Sequence, residues 1–389
     1  MNSRKYVYVL LTGLFVLVGG GLLGVLWYYP STAQAQRAFI EKGMFTCLED
    51  RGNFWRRACM QDLAAAIGER METRDALKAL SVLDDEPPIK YSCHILVHYI
   101  GQDLYAQTKN VPASFATCAQ TVACGEGCFH GTIERYMEET GDLLTGDAAA
   151  QLCAKESMHN EITYRACNHG IGHASMLLND QDVPRSLAAC DVLPEELQRE
   201  CQSGVFMEDV FTSASDEQST KYRLGTDFNQ ACVDLPERYR AMCYQAQASA
   251  VIMTDPRRYR AAVEFCAQVP EPYRNTCYRE PGGDIVVVST DPTELRNVCG
   301  MVPDGEARKG CIHEGLYFAI QMEAGNTKKV GRYCDAFGEL EYRTACYYSL
   351  GVVSAQWDAA GVVRMCEEAP RRADADRASC IAGSQVPRL

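Results

Sequence analysis

What this chain of 389 residues lacks narrows its nature before anything it contains does. Among its 20 cysteines there is no Cys-x-x-Cys pair, the short knuckle that zinc and iron–sulfur sites use in a reducing cytosol. There is no basic cluster, and the net charge is −13, which sets aside nucleic acid and anionic lipid as partners. No serine–histidine–acid nucleophile motif and no phosphate-binding loop is visible. Spacings of mostly ten to thirteen residues between cysteines fit structural disulfides formed in an oxidising compartment. At 47% apolar and 23% charged residues the chain is ordered, and it is longer than one compact core usually grows.

What is present is a repeat. In Cys232-Val-Asp-Leu-Pro-Glu-Arg-Tyr-Arg-Ala-Met-Cys243 a cysteine closes one apolar helical run, and Pro236 and Glu237 open the next. Proline tolerates the first turn of a helix and glutamate favours its positive end, so the stretch reads as a helix–turn–helix with one sulfur on each arm. The second cysteine recurs as Cys59, Cys93, Cys128, Cys167, Cys201, Cys243, Cys277, Cys311, Cys346 and Cys380, in steps of 34, 35, 39, 34, 42, 34, 34, 35 and 34 residues. The first cysteines are Cys47, Cys118, Cys153, Cys190, Cys232, Cys266, Cys299, Cys334 and Cys366. A period near 34 is that of a two-helix solenoid unit. Arginine stands three residues before the second cysteine at Arg56, Arg240, Arg274, Arg308, Arg343 and Arg377, and reads as a surface ladder pairing with acids on a neighbouring turn.

By period and paired cysteines, residues 40–389 resemble the tetratricopeptide and Sel1-like helical repeats, especially extracellular Sel1-like proteins with one disulfide per hairpin. The resemblance implies an all-α, right-handed solenoid of about ten hairpins. Each disulfide would close a loop of about a dozen residues, worth roughly 3 kcal/mol by loop entropy, which offsets the lack of one large core. Cys93 and Cys124 are left over: they bridge each other, or Cys93–Cys118 and Cys124–Cys128 form instead, or a free thiol pair ligates metal.

At the N-terminus, Arg4 and Lys5 precede an apolar run from Tyr6 to Tyr29, long enough to span a bilayer. Residues 1–30 are read as a membrane anchor with a cytoplasmic positive flank, leaving residues 31–389 extracytoplasmic, periplasmic or at the cell surface. Cleavage after Ala35, as a signal peptide, would instead secrete the protein. Three irregularities interrupt the array. They are a polar insertion at Thr212–Thr220, a rigid turn at Asp84–Pro88, and a bend near residues 280–290, where Pro281-Gly282-Gly283 ends a helix and Ile285–Val288 reads as extended.

Six of the seven histidines fall between His94 and His173, in a histidine-rich part spanning residues 90–180. His94/His98, His130/Glu134 and His169/His173 are each spaced i, i+4 just after a second cysteine, so each pair emerges from one helix face. Neighbouring hairpins would point these pairs at a common space. That is the convergence a transition metal such as zinc, iron or copper wants. Glycines at Gly131, Gly170 and Gly172 would let helices or a ligand approach closely. Glu134 is the candidate base if water is activated. Cys124-Gly-Glu-Gly-Cys128-Phe-His130 has the wrong spacing for haem attachment. Glu208 and the lone His313–Glu314 pair read as surface or packing residues. The expected function is a membrane-anchored scaffold that grips a protein or peptide on its concave face and carries a His/Glu metal site. The alternative is a metal-dependent hydrolase or oxidoreductase.

Overall fold

The computed structural model describes residues 32–386, except 50–52, 84–88, 90–91, 121–123, 142–151, 154–159, 214–227, 324 and 369–372. The expected anchor at residues 1–30, the turn at 84–88, His159 and most of the 212–220 insertion lie outside the described residues. Among the described residues every regular element is helical, and no helix is long and apolar enough to cross a membrane.

The helices follow in the order α1 (Ala33–Cys47), α2 (Asn53–Arg70), α3 (Thr73–Leu83), α4 (Cys93–Thr108), α5 (Val111–Cys118), α6 (Gly127–Thr140), α7 (Glu161–Leu178), α8 (Val183–Cys190), α9 (Glu195–Ser213) and α10 (Phe228–Val233). The order continues with α11 (Glu237–Thr254), α12 (Tyr259–Gln268), α13 (Glu271–Cys277), α14 (Glu280–Val288), α15 (Pro292–Cys299), α16 (Glu306–Met322), α17 (Thr327–Asp335), α18 (Leu340–Trp357), α19 (Val362–Glu368) and α20 (Asp374–Ser384). Local sequence sets the starts. Asn110, Asp182 and Asp291 accept a main-chain N–H at the N-termini of α5, α8 and α15, each with proline in the first turn. Pro236 and Pro270 immediately precede α11 and α13.

All 20 cysteines are bonded, in ten disulfides. Nine staple hairpins over sequence separations of 10 to 14. The tenth, Cys93–Cys124, ties the start of α4 to the loop before α6, so no free thiol pair is available to a metal. So dense a set of crosslinks belongs to an oxidising, extracytoplasmic environment.

One expectation is extended and one is corrected. The arginine ladder also serves as a hairpin clasp: Arg240 donates to the carbonyls of Leu235 and Val233, Arg274 to Val269, and Arg308 to Val302 and Gly300. These carbonyls end the first arm, where helix geometry leaves acceptors unpaired. The same arginines also pair with acids as expected, Arg274 with Glu271 and Arg308 with Asp304 one turn away, Arg343 with Asp376 and Arg377 with Glu367. The segment read as extended is helix α14, with Ile285 and Val286 buried. The chain does break, at Tyr278–Arg279, but Pro281 then sits in a first turn, where its missing N–H costs nothing.

Gly282 is where it is for packing. The long helices meet in twos through glycines: a Cβ at Gly101 would overlap the Cys128 carbonyl and one at Gly131 the His98 carbonyl. The same exchange joins Gly172 with Cys201 and Gly204 with His169, and Gly351 with Cys380 and Gly383 with Tyr348. Gly282 meets the Cys311 carbonyl, and Gly315 faces Gly282 and Leu295. So α4/α6, α7/α9, α14/α16 and α18/α20 press backbone to backbone, with no room for a side chain at the crossing glycines. The array also curls onto itself. Helix α7 touches α18, and Gln245 on α11 reaches Glu314 on α16.

Candidate metal centre

The glycine crossings place the histidines. His98 and His169 stand three residues before Gly101 and Gly172, and His130 immediately precedes Gly131. Close approach of α4 to α6, and of α6 to α7, forces their side chains together. His130, His169 and His173 are buried, and His94 and His98 nearly so. Ring centroids lie 4.8 Å apart for His94–His98 and 4.9 Å for His169–His173. His130 lies 5.5, 5.2, 4.9 and 5.2 Å from His94, His98, His169 and His173. Two sets of three ligand nitrogens result, His94/His98/His130 and His130/His169/His173, each able to hold a metal ion.

The outer nitrogens are already committed. His94 Nδ1 donates to the Cys124 carbonyl at 3.1 Å, and His98 Nδ1 to Glu134 Oε1 at 3.0 Å. His173 Nδ1 donates to Glu208 Oε2 at 3.1 Å, and His169 is bonded to the main chain of Glu200. Carbonyl and carboxylate oxygens only accept, so the Nδ1 atoms of His94, His98 and His173 carry the proton and a neutral ring keeps its lone pair on Nε2. Yet His94 Nε2 and His98 Nε2 face each other at 3.1 Å, as do His169 Nε2 and His173 Nε2. His130 Nδ1 is 3.3 Å from His98 Nε2, and His130 Nε2 is buried with no hydrogen-bond partner. Lone pairs so placed repel unless a cation stands between them.

Electrostatics divide the rings. Burial, then the neighbouring His98, lowers the His94 ring to about 3. Burial and the other imidazoles hold His130 and His169 well below the ordinary value. Burial also disfavours the charged form of His98, but the Glu134 carboxylate outweighs it and raises that ring. Burial alone would raise Glu134; His98 and the Gln102 amide, which donates to Glu134 Oε2 at 2.9 Å, bring it down to about 2. Glu208 is likewise lowered against its burial by the His173 hydrogen bond. Glu126 goes the other way, well up, through burial and the nearby Glu200.

Of the expected site residues, the structure gathers His94, His98, His130, His169 and His173, and gives Glu134 a different place. Its carboxylate sits behind His98 and belongs to neither ligand set, the usual role of an acid that orients a metal-binding imidazole. Sequence reasoning set Glu208 aside as solvated, yet it does for His173 what Glu134 does for His98. Its signal was the Gly204–Glu208 spacing, which continues the glycine register. Gln102 and the Cys124 carbonyl gave none, because a carbonyl has no sequence signature. Cys124 adopts φ 59° and the adjoining Gly125 φ 70°, left-handed conformations held where the Cys93–Cys124 bridge anchors the loop. Compared with known proteins, the chain matches no family model, no curated protein and no solved structure.

Proposed function

We propose that this protein is an extracytoplasmic metalloprotein, a disulfide-stapled helical-repeat array of Sel1-like architecture held at the membrane by its N-terminal segment, with a transition metal on its five clustered imidazoles. The observation that carries this reading is the facing of two imidazole Nε2 atoms, twice, at 3.1 Å. Two nitrogens about 2.0–2.1 Å from one ion, at tetrahedral or octahedral angles, lie about 2.9–3.4 Å apart. Second-sphere carboxylates behind His98 and His173 complete the design of a resident ion.

A shared proton is the other occupant that would relieve the repulsion, at the cost of an imidazolium buried among imidazoles, a cost that the Glu134 carboxylate offsets at His98. Glu134 and Glu208 are both engaged with outer nitrogens, and burial with the nearby Glu200 holds the Glu126 carboxyl beside His130 well above its ordinary value, so none of the three stands as a free base to activate water. This favours a structural or sensory ion over hydrolysis. Partner binding is secondary in this reading, since the curl of the array narrows the face on which a peptide would lie. The test is elemental analysis of the full-length chain, exported to an oxidising compartment and purified without chelator or nickel resin. The reading expects near-stoichiometric zinc, copper or iron, lost in the His98→Ala/His173→Ala variant; a folded, fully disulfide-bonded protein that neither retains nor takes up metal would overturn it.

A further inference from the structure

Resting on that reading, we infer that the cluster is a two-ion centre in which the His130 imidazole bridges the ions, one through each ring nitrogen. The ligand nitrogens divide into two sets of three rather than one of five, and His130 belongs to both. A single imidazole serves two ions only through its two nitrogens. Nδ1 faces the first set, 3.3 Å from His98 Nε2. Nε2, on the other side of the ring, is buried without a hydrogen-bond partner. On either flank stands the same device, two imidazoles with Nε2 atoms 3.1 Å apart and a carboxylate behind one of them.

Glu126 supplies an asymmetry. Its Oε2 lies 3.9 Å from His130 Nε2 and its Oε1 is buried without a partner, so it is the natural fourth donor to the second ion. Charge then closes. A bridging ring gives up its N–H proton to solvent and becomes an imidazolate. With the carboxylates of Glu134 and Glu208, and with Glu126 once the ion displaces the proton that burial favours there, it supplies four negative charges against the four positive charges of two divalent ions. A neutral assembly is what a buried site requires. Three imidazole nitrogens per ion suit copper or zinc.

The experiment strips the full-length protein of metal and reloads it with Cu(II). It reads the copper-to-protein ratio by mass spectrometry and spin coupling by electron paramagnetic resonance. Two coppers per chain with a coupled spectrum, a mononuclear signal largely lost and a half-field transition, is the expected result. Two coppers with ordinary uncoupled signals would overturn the bridge, and one copper would overturn the two-ion centre while leaving the metal reading in place. No uptake by folded protein would overturn both. His130→Ala should abolish the coupling. Should that variant fold poorly, His94→Ala/His98→Ala and His169→Ala/His173→Ala take its place: each should keep one copper, and loss of all copper from either, in protein that remains folded, would sink the proposal.

Discussion

The α4/α6 and α7/α9 crossings and the α14/α16 crossing use one backbone device for opposite chemistry. Three residues before the first glycine the chain places His98, His169 and, in the C-terminal half, Arg279. Immediately before the second glycine it places His130, Ser203 and Glu314. The C-terminal crossing is thus self-sufficient: the Arg279 guanidinium lies 2.6–2.7 Å from Glu314 Oε2, and Gln245 ties Glu314 to Glu280. The N-terminal crossings set imidazole lone pairs in the same slots. Close glycine contact fixes where these side chains meet, and the residue identity decides whether the meeting point carries its own cation or calls for one.

The comparison is broken most forcefully from its C-terminal side. Arg279→Ala leaves the buried Glu314 carboxylate without its partner and should cost on the order of 3 kcal/mol in chemical denaturation, with metal content unchanged. If metal were lost as well, the two crossings would not be independent. Next in size is the shared device itself. A Cβ at Gly172 or Gly351 would overlap the carbonyl of Cys201 or Cys380, so Gly172→Ala and Gly351→Ala should each cost about 1–3 kcal/mol through forced separation of the helices. Only Gly172→Ala should also lower metal content, because only that crossing carries the histidines.

How much of this the sequence shows follows from how local each signal is. The hairpin period, the all-helical class and the nine short-range disulfides are local facts, written in cysteines about a dozen residues apart and in prolines at helix starts. The i, i+4 histidine pairs were legible for the same reason. The role of Glu134 was not, because it depends on which atom of His98 faces across a helix pair. The misreading of Ile285–Val288 has a related cause. β-branching argues for an extended segment, but burial of Ile285 and Val286 between helices outweighs a preference worth only tenths of a kcal/mol per residue. The curl of the array, joining residues about 70 apart at Gln245–Glu314, left no periodic trace at all.

A finer test sharpens the contrast between orienting acids and pairing acids. Glu134→Gln and Glu208→Gln keep a side chain able to accept from Nδ1–H but remove the charge that makes the imidazole a better donor. Each should weaken metal affinity about 10–100-fold in a competition titration with a chromophoric chelator, while apo-protein stability moves little. Glu314→Gln, which alters the pairing acid of the C-terminal crossing, should leave the affinity where it was. A matching loss from Glu314→Gln would mean that the carboxylates act on the metal through general charge rather than through the ring behind which each one sits.

The smallest expected effect separates the halves by pH. Glu280 borders a cavity of about 130 Å³ beside Met207, Met242 and Phe318. Burial, then the nearby Glu314 and Asp284, lifts its carboxyl to about 8, while hydrogen bonds from Gln245 and Ser249 act against the rise. An acid whose folded value lies above its unfolded value near 4.5 binds its proton more tightly in the native state. Its contribution to stability is therefore complete below about pH 4.5 and is lost as the pH climbs through 8. Melting temperature should fall between pH 6 and pH 9 in the wild-type protein. Glu280→Gln, which cannot ionise, should remove a few degrees of that fall. Metal affinity at a fixed pH should be the same in both proteins, since Glu280 serves the crossing that carries its own cation. Identical melting profiles would show that the Glu280 carboxyl reaches solvent freely and that Glu314 and Asp284 impose no charge burden on it.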